Sequence, residues 1–162
     1  MKTVRRKTAD FKRIKEIVSD FNELEGQVGF FPESRYEDGT PVAYVATIQE
    51  FGYIKGGIPP RSFMRSTAQV EKSNWATLFG KGVNAAVKGN ETAFSVVEKV
   101  GQQMKGDIQK TITEIKSPPL KESTVAAKRR KLADSGTTGA LDKPLIETSL
   151  LLNSVTNATV KK

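Results

Sequence analysis

The chain has 162 residues, a formal net charge of +8 and an isoelectric point near 9.7, and it contains neither cysteine nor histidine. That composition excludes disulfides, Cys/His zinc sites and nucleophilic triads that need an imidazole base. The length suits one domain with a modest core, while a hydrophobic fraction of 37% leaves parts of the chain to be extended, mobile or stabilised by partner subunits. The positive charge favours an anionic partner: nucleic acid, an acidic protein surface or anionic lipid. No apolar run reaches membrane-spanning length, and no apolar segment follows the basic N-terminus as a secretory signal would require. A soluble protein kept inside the cell that makes it is therefore expected.

Residues 1–7 form a basic arm. From Thr8, a plausible N-cap, Phe11, Ile14, Ile17/Val18, Phe21 and Leu24 recur at helical steps, and Gly26 is expected to stop the helix. Gln27 to Phe31 suits a short strand ended by Pro32, and Glu37-Asp38-Gly39 a turn. Thr40-Pro41 predicts an N-cap with proline in the first helical position, opening a helix that carries Tyr44, Val45, Ile48 and Phe51 and closes at Gly52. After a glycine loop at Lys55-Gly56-Gly57, the prolines of Ile58-Pro59-Pro60 enforce extended chain.

A long helix is expected from about Arg61 to Lys88, with Phe63, Thr67, Val70, Trp75, Leu78, Phe79, Val83 and Ala86 as its apolar members. Gly80 and Gly82 would weaken it, or mark a kink or a close subunit contact. Thr92 to Ile115 carries the cleanest stripe: Ala93, Val97, Val100, Met104, Ile108, Ile112 and Ile115. Ser117-Pro118-Pro119 ends it, and a short basic helix fits 121–133 before the flexible Ser135–Gly139 loop. A helical turn around Leu150 to Leu152 and a strand over Val155 to Val160 complete the chain. The segments are thus 1–26, 27–116, a flexible basic region 117–143, and 144–162, within a single domain. The fold class is α+β: a small, mostly antiparallel sheet packed by long amphipathic helices, with a mobile basic arm and loops.

Enzyme-like features do not hold together. Gly80-Lys81-Gly82 fails as a phosphate loop, because Trp75 stands at the earlier glycine position and Gly82 where Ser or Thr is needed. Glu23/Glu25, Glu37/Asp38 and Glu147 are carboxylates with nothing to mark them as buried or paired. No catalytic residue, metal or cofactor is expected. Arg61 and Arg65, one helical turn apart with Phe63 between them, suit a clamp on a loop or on a carboxylate such as Glu50, or a bridge to a neighbouring subunit; DNA contact suits them less. Trp75 suits core or interface. The basic clusters Arg5-Arg6-Lys7 and Lys128-Arg129-Arg130-Lys131 are candidates to face DNA, an acidic partner or plain solvent. They lack the interleaved aromatics that would stack bases.

The stretch Tyr44 to Gly52, with Glu50 and Gly52 at its end, leads through the Lys55–Gly57 loop into Ile58-Pro59-Pro60-Arg61-Ser62-Phe63-Met64-Arg65. It resembles the signature of the tailed-phage neck and tail-completion proteins, the head–tail connector family of the minor tail protein Z type, in which Glu-x-Gly and a loop precede Ile-Pro-x-Arg-x-Phe-x-Arg. A second similar block runs Lys143-Pro144-Leu145-Ile146-Glu147-Thr148, then Leu151, Ser154 and Val155. It departs from the family pattern at Glu147, where Asp is usual, and at Ser149, where Gly is usual. The similarity spans roughly residues 27–160.

The resemblance implies a non-enzymatic structural protein of the virion, assembled in the host cytoplasm. It would form a homo-oligomeric ring at the head–tail junction or upper tail, with six copies favoured over twelve. Other neck or tail proteins would be its partners, DNA would pass through the axial channel without sequence specificity, and no membrane would be involved. The motif residues Glu50, Gly52, Ile58, Pro59, Pro60, Arg61, Phe63, Arg65, Pro144, Leu145 and Thr148 would then serve the fold or subunit contacts. The alternative is a sequence-independent nucleic-acid-binding protein acting as monomer or dimer. An enzyme such as a nuclease or peptidoglycan hydrolase is a third class without a supporting motif.

Overall fold

The computed structural model describes residues 2–135, 145 and 149–162. In chain order the elements are α1 (Lys2–Asn22), β1 (Leu24–Phe30), α2 (Val42–Phe51), a 3-10 turn (Ile54–Gly56), α3 (Phe63–Lys88), α4 (Ala93–Glu114), α5 (Glu122–Ser135), α6 (Leu150–Asn153) and β2 (Val155–Lys161). Helices dominate the described residues, and β1 and β2 form a two-stranded antiparallel sheet, so the fold is α+β. No helix among the described residues is long and apolar enough to cross a membrane.

Two compact units are built from non-consecutive segments. One comprises residues 1–28, 71–104 and 157–162, and the other residues 29–70 and 105–156. In the first, Phe21 of α1 meets Phe79 of α3 edge to face at 5.3 Å between ring centroids, and Trp75, Ala86, Ala93 and Val96 are buried. The backbone N–H of Lys162 donates to the Glu23 carbonyl at 2.9 Å, closing the sheet end where the strands meet. In the second, Val42, Ala46, Phe63, Ile108, Ile112, Leu145, Leu151 and Val155 form the core, and α2 packs on α6. Phe63, fully buried, stands edge to face against Phe30 at 5.9 Å.

Several expectations need correcting. Helix α1 starts at Lys2, so the segment expected as an arm is its first turns; Lys, Arg and Ala are good helix formers. Gly26 does not stop that helix, which ends at Asn22, but lies inside β1, where Val97 approaches too closely to leave room for a side chain. Pro41, not Thr40, is the residue capping α2. The short basic helix expected over 121–133 is present as α5, Glu122–Ser135, so that part of the region expected to be flexible is helical; the rest of the Ser135–Gly139 loop lies outside the described residues. Helix α3 runs unbroken through Gly80 and Gly82.

The stripe of α1 is the largest departure. Its spacing is helical as expected, yet Phe11 and Val18 are more than half exposed and Ile14 is exposed too. On α2 the buried stripe is Val42, Ala46 and Glu50, at steps of four, while Tyr44 and Phe51 are each 61% exposed. That helix is apolar on nearly every side, so periodicity alone could not choose its inward face.

The two α3 glycines differ physically. A Cβ on Gly82 would stand 2.4 Å from a Val96 methyl group of α4, whereas nothing lies within 4 Å of one on Gly80. Gly82 therefore serves an intrachain helix contact, and Gly80 is only a helix-weakening residue. Gly82→Ala is expected to cost about 1–3 kcal/mol by overpacking and Gly80→Ala to gain up to about 1 kcal/mol, as measured by urea unfolding.

Candidate functional site

The segment with the most specific sequence pattern folds into a single joint within the second unit. Helix α2 ends at Gly52, whose N–H donates to the Ile48 carbonyl at 2.8 Å. Gly52 has φ 77° and ψ 168°, a region that side-chain-bearing residues essentially never occupy, and a Cβ there would meet Pro60 N at 2.8 Å. The chain then turns through a tight loop in which Tyr53 and Ile58 exchange both backbone hydrogen bonds, at 2.8 and 3.0 Å. Gly57 supplies the left-handed conformation the turn requires, at φ 65°. Pro59 and Pro60 keep the next residues extended, and Arg61 N–H donates back to the Gln49 carbonyl at 2.7 Å. Helix α3 starts two residues later.

The first backbone N–H groups of a helix have no partner within it, and an anion placed there satisfies them while interacting favourably with the helix dipole. Glu50 provides that anion from the last turn of α2. Its Oε2 accepts from Met64 N–H at 2.8 Å; its Oε1 accepts from Arg65 N–H at 3.1 Å, the Ser62 hydroxyl at 2.8 Å and Arg65 Nε at 2.9 Å. The residue is buried. Burial is the largest single influence on its carboxyl and pushes the pKa up, but the bonds from Met64, Arg65 and Ser62 together outweigh it and hold the group below its ordinary value of 4.5.

The two arginines divide the work. Arg65 closes on Glu50 a second time, Nη2 donating to its carbonyl at 3.1 Å, and its guanidinium lies over the Phe51 ring at 4.5 Å. Arg61 is buried and donates to three oxygens: Nε to Pro118 O at 3.0 Å, Nη2 to Pro119 O at 3.2 Å and Nη1 to Gln49 Oε1 at 3.2 Å. It thereby ties the chain after α4, whose Ser117–Pro118 peptide is cis, to the end of α2. Burial pulls its pKa below the ordinary arginine value, and the guanidinium stays charged. Of the two roles expected of the arginines, a clamp on a loop or carboxylate and a bridge to a neighbouring subunit, the contacts within the chain are of the first kind: Arg61 meets a loop and Arg65 meets Glu50.

Other candidate residues fall as follows. Ile58 and Pro59 are half-buried and Pro60 exposed, and Phe63 sits in the core two residues after Arg61. Leu145 is buried, whereas Pro144, Glu147 and Thr148 lie outside the described residues. Ser149, standing where glycine is usual, adopts φ 58°, so the left-handed turn is kept with a residue that fits it less well. Lys128 is not part of an exposed basic run but buried, one helical turn after half-buried Val125, while Arg129 and Arg130 are exposed. The side chains of Arg5, Arg6, Lys7 and Lys131 lie outside the description. Gly80-Lys81-Gly82 is mid-helix and forms no loop that could wrap phosphate. Glu23, Glu25, Glu37 and Asp38 are exposed.

Two features escaped the sequence. In the first unit Glu98 of α4 accepts from Asn157 Nδ2 at 2.8 Å and Thr159 Oγ1 at 2.9 Å, tying β2 to the helix; the bonds from Thr159 and Asn157 hold its pKa below the ordinary value. No local signal could reveal it, since the partners are some sixty residues away and the residue lies on what spacing marks as a polar face. The other is a set of exposed apolar side chains on one flank of α2 and in the following turn: Tyr44, Phe51, Tyr53 and Ile54, the last 95% exposed. Comparison of the chain with protein-family models, with curated proteins and with solved structures found no match.

Glu50→Gln is expected to cost about 2–4 kcal/mol at neutral pH, because the N–H groups of Met64 and Arg65 and the Arg65 guanidinium lose a charged acceptor that is itself buried. A carboxyl titrating below 4.5 when folded contributes fully above that value and loses its contribution as the pH falls through the folded pKa. The gap between wild type and Glu50→Gln, followed by urea unfolding, should therefore narrow only below about pH 4.5. Gly52→Ala is expected to cost at least about 2 kcal/mol, from forced backbone and the clash at Pro60 combined.

Proposed function

We propose that this chain is a non-enzymatic structural protein of a tailed-phage virion, a subunit of a ring at the head–tail junction or upper tail through whose axial channel DNA passes. The observation that carries the reading is what the Glu50–Arg65 segment does. Glu50, Arg61 and Arg65 hold α2, the proline-bearing turn and α3 together, while Phe51, Tyr53 and Ile54 between them are held outward. A rigid internal joint that displays aromatic and aliphatic side chains suits a subunit contact, where Tyr, Phe and Arg concentrate. It suits substrate chemistry poorly, because Glu50 and Arg61 are buried and spend their hydrogen bonds within the joint. The resemblance to the neck and tail-completion signature supplies the virion context.

The charge fits the same reading. A conduit gains from sparse positive charge that stabilises passing phosphate without sequence preference, and tight binding would oppose transit. The +8 charge and exposed Arg129 and Arg130 are compatible with that role, and with the alternative of a sequence-independent nucleic-acid-binding monomer or dimer. Exposed apolar side chains favour the ring.

Native mass measurement and negative-stain imaging across a salt series, alone and with tails lacking this protein, separate the two. Closed rings, or addition to tail ends, are expected. A persistent monomer that ignores tails and shifts DNA at low salt would overturn the ring in favour of the alternative.

A further inference from the structure

Among the described residues the sheet has two strands, so β1 and β2 each have one neighbour and one outer edge. Each strand is seven residues long, and just beyond them Lys162 N–H donates to the Glu23 carbonyl at 2.9 Å. In an antiparallel pair that bond fixes the register: Glu25 stands opposite Val160 and Gln27 opposite Ala158, with their backbone groups turned toward each other. Gly26 then lies opposite Thr159, and Val28 opposite Asn157. The side chains agree, because α4 meets Gly26 through Val97 and meets Asn157 and Thr159 through Glu98. The backbone N–H and C=O groups of Leu24, Gly26 and Val28 therefore point away from β2, and those of Asn157, Thr159 and Lys161 away from β1. Among the described residues none of these groups bonds to backbone outside the sheet. Glu25, Gly26 and Gln27 are exposed on β1, and Val160 and Lys161 on β2.

We infer that the outer edge of β1 in one molecule pairs with the outer edge of β2 in the next, continuing the antiparallel sheet from copy to copy. The inference rests on the ring reading in taking the occupant to be a second copy of this chain. A row of alternating backbone donors and acceptors is complemented in full only by another extended chain, and strand addition to such an edge is a recurring mode of recognition. Edges meant to stay unpaired are commonly guarded by proline or lysine. Strand β1 has neither, and β2 has one lysine, at its last position. Gly26 adds a stretch of bare backbone that another chain can approach closely. Mixed pairing is head-to-tail, the kind of contact that closes rings, whereas β1 on β1 or β2 on β2 ends at a dimer. Over residues 23–30 and 155–162 the charged side chains are Glu23 and Glu25 on one strand and Lys161 and Lys162 on the other. Mixed pairing in the register found within the chain sets these opposite charges side by side again.

Hydrogen exchange of the wild-type chain, read residue by residue below and above the concentration at which it assembles, tests the pairing directly. The amides of Leu24, Gly26, Val28, Asn157, Thr159 and Lys161 are expected to slow by at least about ten-fold on assembly. Those of Glu25, Gln27, Ala158 and Val160, bonded within the molecule, should change far less. Because the chain has no cysteine, engineered thiols give a second readout. Between copies Gln27 would stand opposite Ala158 as a non-hydrogen-bonded pair, the closer of the two kinds. Gln27→Cys and Ala158→Cys chains mixed in equal amounts should therefore oxidise to a disulfide-linked heterodimer, in excess of either homodimer.

Wild type that assembles with no slowing at the six edge amides would overturn the sheet pairing and leave the ring reading standing. Wild type that stays monomeric at high concentration would overturn both. Slow exchange at Leu24, Gly26 and Val28 already in the monomer would mean that the chain satisfies this edge itself, and would refute it as a docking site. Disulfide-linked homodimers of either variant without the heterodimer would replace head-to-tail pairing with like edge on like edge.

Discussion

The burial of one carboxylate organises the second unit. Glu50 leaves water, a step that raises the cost of its charge, and recovers that cost only because four donors from the start of α3 converge on it. The requirement runs in both directions. The first turn of α3 needs an anion for its N–H groups, and Glu50 needs those N–H groups to remain ionised. Everything between them is shaped so that the two can meet: Gly52 in a backbone region reserved for glycine, the Tyr53–Ile58 turn, and the prolines that leave only an extended path. Arg61 extends the joint to the chain beyond α4 through two carbonyls.

The first unit relies less on charge and more on close approach. Val96 packs against Gly82, Val97 against Gly26, and Asn157 against Gly101, so helix and strand backbones come nearer than any larger residue would permit. Glu98 adds a polar tie from α4 to β2. In the same unit, Lys99 and Glu91 pair at 2.8 Å beside a shallow cleft lined by Leu78, Lys81 and Val96, with one Glu91 oxygen buried and unbonded. With a cationic partner already in place and the glutamate only partly buried, the arrangement is that of a structural ion pair.

What the molecule displays follows from how it spends its polar groups. Glu50 and Arg61 of the most distinctive segment turn inward and are satisfied there, while apolar residues of α1, α2 and the turn after α2 face outward. In an isolated globular protein the reverse is the rule, and apolar exposure grouped on particular elements is how surfaces awaiting a partner are recognised.

Much of the helical framework was legible in the residues. The stripe of α4, the stop at Gly52, the prolines before α3 and the final strand all express local chemistry: periodic side chains, φ restriction and absent Cβ atoms act over a few residues and need no knowledge of the rest. The spacing of Arg61 and Arg65 and the proximity of Glu50 likewise suggested a clamp, because a helix start lacks acceptors wherever it lies. Which face of a helix turns inward was decided elsewhere. Helix α2 has apolar residues on nearly every side, and tertiary packing, α6 included, buries Val42 and Ala46 and leaves Tyr44 and Phe51 exposed. The α1 stripe has correct spacing but lies exposed, since periodicity states that a face could be buried and not that this chain buries it. Lys128 turned inward from a run that looks uniformly solvated, and Glu98 found partners on a strand some sixty residues away. Local sequence thus determined most of the elements and some of their ends, such as Gly52, through forces that act within a turn or two; tertiary structure alone determined burial and long-range pairing, because both depend on which distant surface arrives to exclude water.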